Sequence, residues 1–195
     1  MPDTALKPEP IDKQALRSWL GKRSIVLIGM MGAGKSSIGR RLGETLSLPF
    51  RDADIEIEKA AARSIPEIFA EHGEAYFRDG ERRVIARLMD EGPQILATGG
   101  GAFEDETTRA AIAASGLSIW LDARLDVLMK RVRRKSNRPL LRQKDPESVM
   151  RALLEARIPN YRKADLIIES RDGPHDIVVR DILKALAGLA SESTP

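Results

Sequence analysis

The chain contains no cysteine, so a disulfide framework, a thiolate nucleophile and a thiolate metal site are all excluded, and any metal must be held by oxygen or imidazole. Aromatic residues make up only 4%, which gives little support for a surface on which nucleic-acid bases stack. No apolar run approaches the roughly 20 residues needed to span a bilayer, and the opening MPDTALKPEPIDKQ lacks the basic-then-apolar order of a secretion signal. A cytoplasmic protein with no membrane partner is therefore the expectation. Net charge is also slight, at +3, too little to imply a nucleic-acid partner. Its distribution is uneven, because from Lys130 to Lys144 every charged residue is Lys or Arg. Such a block either meets something anionic or forms a solvated face.

What is present fits one compact domain: 195 residues, 42% hydrophobic and 31% charged. Residues 1–20 read as a tail followed by a short amphipathic helix, IDKQALRSWLGKR, that can gather Ile11, Leu16, Trp19 and Leu20 on one side. Residues 21–190 form the expected domain, and 191–195 a second tail. From Ser24 onward short apolar runs alternate with helical patterns. SIVLIG precedes the helix KSSIGRRLGETLSL, strand-like PFRDAD precedes the short helix DIEIEKAAA, and one or two helices lead to the strand QILATGGG. SIWLDA and DLIIES each precede a further helix. This alternation predicts an α/β fold with a parallel sheet of about five strands covered by helices on both faces.

Gly29, four residues, then Gly34-Lys35-Ser36 satisfy G-x-x-x-x-G-K-[ST] in full, between an apolar strand and a helix. The glycines let backbone N–H groups turn toward one point without obstruction, and the positive helix end adds to the attraction for polyphosphate. Gly32, Ala33, Gly34, Lys35, Ser36 and Ser37 are accordingly the expected nucleotide-binding residues, with Lys35 reaching the β- and γ-phosphates and Ser36 binding Mg²⁺.

Two places compete for the acid that orients the metal. Asp122 closes the strand SIWLD and fits the usual acidic pattern best on spacing alone. Asp52 and Asp54 are two apart in FRDAD, and in an extended segment they would face one cavity together. Either place also has a structural reading, since Asp54 can cap the helix after it and Asp122 the helix near Leu125.

GMMGAGKSSIGRRLG, FRDADIEIE, FRDGERRVI, TGGGA, NRPLL and RIPNYRKAD, in that order from about Ser24 to Val179, together resemble the shikimate kinase family. The resemblance implies a three-layer α/β/α P-loop fold like that of nucleoside-monophosphate kinases, with a mobile lid at about 133–147. It also implies transfer of the γ-phosphoryl group of ATP to the 3-hydroxyl of shikimate, with Mg²⁺ as cofactor. Ser36 and Asp52 then match the magnesium-linked pair, and Asp54 the aspartate that binds the accepting hydroxyl and serves as general base. Arg78 and Arg157 match the arginines that grip the substrate carboxylate, and Gly99, Gly100 and Gly101 the triplet lining the substrate pocket. Arg138 matches the lid arginine, so that catalysis falls to Asp54, Lys35 and Arg138. Arg171, in SRDGP, lies where the family's adenine loop should be.

Chemistry is consistent with each role, because a planar guanidinium pairs with a carboxylate in two places and aspartate accepts from hydroxyls. Each residue also has a plainer explanation. Arg78 can pair with Glu81 or Glu74 on its own helix, Arg157 can be a surface residue near a helix end stopped by Pro159, and the triplet can be a turn. ATP and shikimate are the expected partners of a monomer. A kinase for another small hydroxy acid such as gluconate, or a nucleotide-dependent nucleic-acid-binding module, are the rival readings.

Overall fold

A computed structural model describes residues 11–134 and 144–192. Five strands form one sheet in the order β2-β3-β1-β4-β5, every adjacent pair parallel. They are β1 (Ser24–Ile28), β2 (Phe50–Asp52), β3 (Ile95–Ala97), β4 (Gly116–Asp122) and β5 (Leu166–Glu169). The central strand β1 is buried at all five positions, as expected for an apolar run covered on both faces. Because all strands run the same way, their carboxyl ends deliver Gly29, Asp52, Thr98, Asp122 and Ser170 to one side of the sheet, where open α/β sheets bind ligands.

The covering helices are α1 (Lys13–Leu20), α2 (Lys35–Leu46), α3 (Ala53–Ala61), α4 (Ile65–Asp90), α5 (Glu106–Ser115), α6 (Leu125–Arg133), α7 (Pro146–Tyr161) and α8 (His175–Glu192). Helix α1 seats Leu16 and Leu20 in the main core, where they are 3% and 2% exposed, and packs against α2 and α8. Among the described residues, no helix is long and apolar enough to cross a membrane.

Two local expectations, for the FRDAD strand and for Pro159, need correction, and the choice between one and two helices before QILATGGG is decided. The strand through FRDAD ends at Asp52, which caps α3 by accepting from the Asp54 N–H at 3.2 Å. Asp52 is therefore the cap, and Asp54 already lies in the first turn of the helix. The long pattern before QILATGGG is two helices joined at a kink: Ser64 and Glu67 form a reciprocal cap at its start, and Gly73, at φ 79° and ψ 178°, interrupts the helical path. Pro159 does not stop its helix, because α7 continues to Tyr161. A proline so near the end removes only a bond of the last turn.

Candidate active site

At the end of β1 the chain passes through Gly29, Gly32 and Gly34 at φ of 134°, 85° and 96°, conformations that side chains rarely adopt. Gly34 is also the N-cap of α2 and has no side chain to occupy the first-turn N–H groups. Those groups and the helix end are what an anionic phosphate needs. Lys35 Nζ donates to the carbonyls of Gly29 at 2.7 Å and Met30 at 3.0 Å, which folds its charge over the loop. Ser36 Oγ donates to Asp52 Oδ2 at 2.7 Å, tying the loop to the end of β2.

These groups open on a cleft of about 500 Å³, well within the range for small-molecule sites. Gly32, Gly34, Lys35, Ser36 and Ser37 line its P-loop end, and Asp52 lies beside them. Ala33 is fully buried instead, and its carbonyl accepts from Ser170 Oγ at 2.8 Å, so it fastens the loop to the core. The Arg171 side chain is not in the lining, because its Nε pairs with Glu169 Oε2 at 2.8 Å on the surface. Arg138 and most of the expected lid lie outside the described residues.

The opposite end draws on four separate segments: Asp54 of α3, Arg78 and Glu81 of α4 beyond its kink, Gly99–Gly101 after β3, and Arg157 of α7. Their closeness shows in what the triplet leaves room for. A Cβ on Gly99 would lie 2.7 Å from Glu81 Oε1 and 3.1 Å from Asp54 Oδ1. One on Gly100 would lie 3.1 Å from Arg157 Nη1, and one on Gly101 2.8 Å from the Arg78 guanidinium. Four side chains that the sequence spreads from α3 to α7 thus converge on one strip of bare backbone. Ile65, Phe69 and Phe77 supply an apolar wall, with the two phenylalanine rings 4.7 Å apart.

Charge at this end is arranged around Glu81. Its side chain is 3% exposed, Oε2 accepts from Arg78 Nη1 at 2.7 Å, and Oε1 is buried with no hydrogen-bond partner among the described residues. Burial pushes the Glu81 carboxyl up; Arg78 opposes this and the nearby Asp54 adds to it. Burial draws the Arg78 guanidinium down, but its bonds to Glu81 and Glu74 outweigh that and its pKa is raised. The plain helical pairings of Arg78 therefore exist, at 2.7 and 3.2 Å, and the guanidinium still lines the cleft.

Asp122 is not in that lining. Burial, and then the negative charge of Glu169, push its carboxyl up. It does not cap α6 either, since Arg124 holds that position. Among the described residues no group of three His, Cys, Asp or Glu side chains could cage a metal.

Arg131 and His175 also line the cleft, in places that the sequence does not assign. Arg131, from the basic block, lies at the P-loop end and donates to Ser170 Oγ at 2.9 Å and to the carbonyls of Gly32 and Ala33 at 3.3 and 3.4 Å. His175, at the start of α8, has Nε2 3.3 Å from where a Cβ on Gly34 would stand. Burial holds its imidazole below the ordinary value, helped by the positive charges of Arg131 and Arg41, with Asp176 opposing. The block's spacing on one helix was the available signal for Arg131. Nothing local marked His175.

Comparison with known proteins fits this geometry. The shikimate kinase family model matches residues 31–187. The shikimate kinase of Bradyrhizobium diazoefficiens is 58% identical over 186 residues, covering 95% of this chain and 90% of its own. That of Caulobacter vibrioides strain NA1000 is 59% identical over 167 residues, covering 86% and 84%. A solved shikimate kinase from Acinetobacter baumannii, in complex with shikimate, matches with a TM-score of 0.83 at 36% identity over 89% of this chain and 97% of that one. A gluconokinase from Sinorhizobium meliloti, at 19% identity, covers 88% of this chain and 95% of its own with a TM-score of 0.58, which shows a shared fold alone. Since the matched span takes in Lys35, Asp54, Arg78, the glycine triplet and Arg157, and so both ends of the cleft, the chain belongs to the shikimate kinase family.

Proposed function

We infer that the cleft transfers the γ-phosphoryl group of ATP to the 3-hydroxyl of shikimate, giving shikimate 3-phosphate and ADP, the reaction of the family to which the chain belongs. The observation that carries the assignment of roles is the convergence of Asp54, Arg78 and Arg157 on Gly99–Gly101 inside the cleft that the phosphate loop also lines.

The P-loop amides and the start of α2 hold the triphosphate, and Lys35 leaves its loop carbonyls to reach the β- and γ-oxygens. Arg78 and Arg157 grip the shikimate carboxylate, each able to pair through two N–H groups. Asp54 accepts the hydrogen bond of the 3-hydroxyl, orients its oxygen toward the γ-phosphorus, and takes the proton as the new O–P bond forms and the bond to the ADP oxygen breaks. By resemblance Arg138 adds positive charge over the phosphates. Glu81, bonded to Arg78 at 2.7 Å, orients its fork.

Ser36 and Asp52 fit magnesium: they are hard oxygen donors already bonded to each other beside the loop, and Mg²⁺ takes one or two protein oxygens plus phosphates and water rather than a full cage. When bound, the ion neutralises charge on the β- and γ-phosphates. Asp122 has no part in this, being outside the cleft. All donor and acceptor groups named come from one chain, so a monomer suffices. The need for ATP fits a cytoplasmic setting.

The test is an ADP-release assay with shikimate, gluconate and nucleoside monophosphates in parallel. Turnover with shikimate alone is expected, and silence with shikimate overturns the reading. Nucleic-acid binding is disfavoured by the use made of the basic block, where Arg131 braces the P-loop and Lys130 pairs with Asp172.

A further inference from the structure

Tyr161 is fully buried and among the largest side chains with no exposure. Packing alone would be satisfied by phenylalanine, with the ring tilted against Trp120 at 5.6 Å between centroids. A hydroxyl in such a place is costly unless it is bonded. This one donates to the carbonyl of Gly100 at 2.5 Å, the middle residue of the triplet, and stands 3.7 Å from Met30 Sδ. Burial pushes the phenol up to about 12, so it remains a hydrogen-bond donor throughout the neutral range.

The neighbouring residue makes a second grip. Asn160 Nδ2 donates to Glu104 Oε2 at 2.8 Å, in the 3₁₀ turn Ala102–Glu104 that follows the triplet directly. The last turn of α7 therefore holds the Gly100–Glu104 segment at two points, one on either side of Gly101. Arg157 stands four residues before Tyr161, on the same face of α7. Its Nη1 reaches Met30 Sδ at 3.5 Å, the same sulfur that the Tyr161 hydroxyl approaches.

These contacts give α7 two tasks at one subsite. It supplies the guanidinium for the acceptor carboxylate, and it holds the backbone strip against which that guanidinium lies. Three successive glycines have no side chains of their own to restrain them, so an external hold is needed to keep the strip in register with Arg157.

We propose that Tyr161 is a positioning residue for the acceptor: by holding the Gly100 carbonyl, its hydroxyl sets the triplet backbone in register with the Arg157 guanidinium. The proposal rests on the reading of this end of the cleft as the shikimate subsite. Tyr161 itself does not touch the substrate.

The experiment measures KM for shikimate, kcat, and nucleotide Kd without acceptor for the full chain and for Tyr161→Phe. Loss of one buried bond to the strip should raise KM for shikimate about 5- to 20-fold, with kcat within about threefold and nucleotide Kd within about twofold. In an Arg157→Ala background the same substitution should change KM much less, because the group it aligns is gone. Asn160→Ala, a partly exposed position, should move KM in the same direction by a smaller factor, and it supplies the test if Tyr161→Phe does not fold. Unchanged KM in a folded variant, or equal loss of shikimate and nucleotide affinity, overturns the proposal. An unmodified chain inactive on shikimate but active on another acceptor overturns the functional reading instead, so the two failures are distinct.

Discussion

At the donor end of the cleft, Gly29, Gly32 and Gly34 hold left-handed φ values of 134°, 85° and 96°, whereas none of Gly99, Gly100 and Gly101 at the acceptor end does so. The first set is glycine because the backbone must turn its amides inward. The second is glycine because Arg78, Glu81, Asp54 and Arg157 occupy the space where Cβ atoms would be. On the proposed function, donor recognition is built from consecutive backbone, and acceptor recognition from side chains gathered across the chain. The two ends should fail differently when changed.

The largest expected effect separates chemistry from binding. Asp54→Asn keeps the shape of the side chain but removes the proton acceptor, and loss of general-base catalysis is worth about 10²- to 10⁴-fold in kcat. Nucleotide affinity should stay within about twofold, because the proposed hold on the phosphates comes from the P-loop amides and Lys35 rather than from Asp54. Steady-state turnover and equilibrium titration with ADP check both halves. Equal turnover in the variant sinks the base assignment.

A crossed pair of glycine substitutions tests the comparison directly. At Gly34 an alanine is strained by its φ of 96°, and its Cβ would meet Ile38 Cδ1 at 3.0 Å. A left-handed non-glycine residue costs about 1–2 kcal/mol, so nucleotide Kd should weaken about tenfold or more. At Gly101 the backbone φ of −99° suits alanine, but the new methyl would displace the Arg78 guanidinium from 2.8 Å. Shikimate KM should then rise about tenfold while nucleotide Kd holds, since charge-assisted hydrogen bonds contribute about 1.5–3 kcal/mol. If both variants lost both ligands alike, the division of the cleft would be wrong.

This division also explains what could be read in advance. The donor end is one unbroken run, so spacing alone exposes it, and the alternation of strands and helices exposes the sheet. Arg78 and Arg157 carry no such local mark: the ion pairs of Arg78 with Glu81 and Glu74 are the ones any helix would make, and only resemblance to a family singled these arginines out. The pair Asp52 and Asp54 was legible for a reason the fold does not use. They share the cleft because a strand ends and a helix begins between them, not because a strand alternates. The place of His175 in the cleft and the bond from Tyr161 to Gly100 depend on contacts between distant segments, which no local pattern encodes. Asp122 has the right spacing as well, but it does not line the cleft.

The smallest expected effect is on the pH dependence of stability, and here the two ends differ in sign. His175, at the donor end, is held below its ordinary value of 6.5 by burial and by Arg131 and Arg41. The native state thus binds fewer protons than the unfolded chain just below pH 6.5, and the stability this group contributes is full above 6.5 and lost as pH falls through its native value. Glu81, at the acceptor end, is raised above 4.5 by burial, with Arg78 opposing. Its contribution is full below pH 4.5 and lost as pH rises through its native value. Removing each titration should therefore tilt the curve in opposite directions. Across these windows, His175→Gln should flatten the rise of Tm with pH, and Glu81→Gln should steepen it. Thermal unfolding of the nucleotide-free chain from pH 4 to pH 8 measures both slopes against the unmodified protein, independent of any offset in Tm that the lost Arg78 partner produces. Slopes that shift the same way would mean that the two buried groups do not titrate as their surroundings dictate.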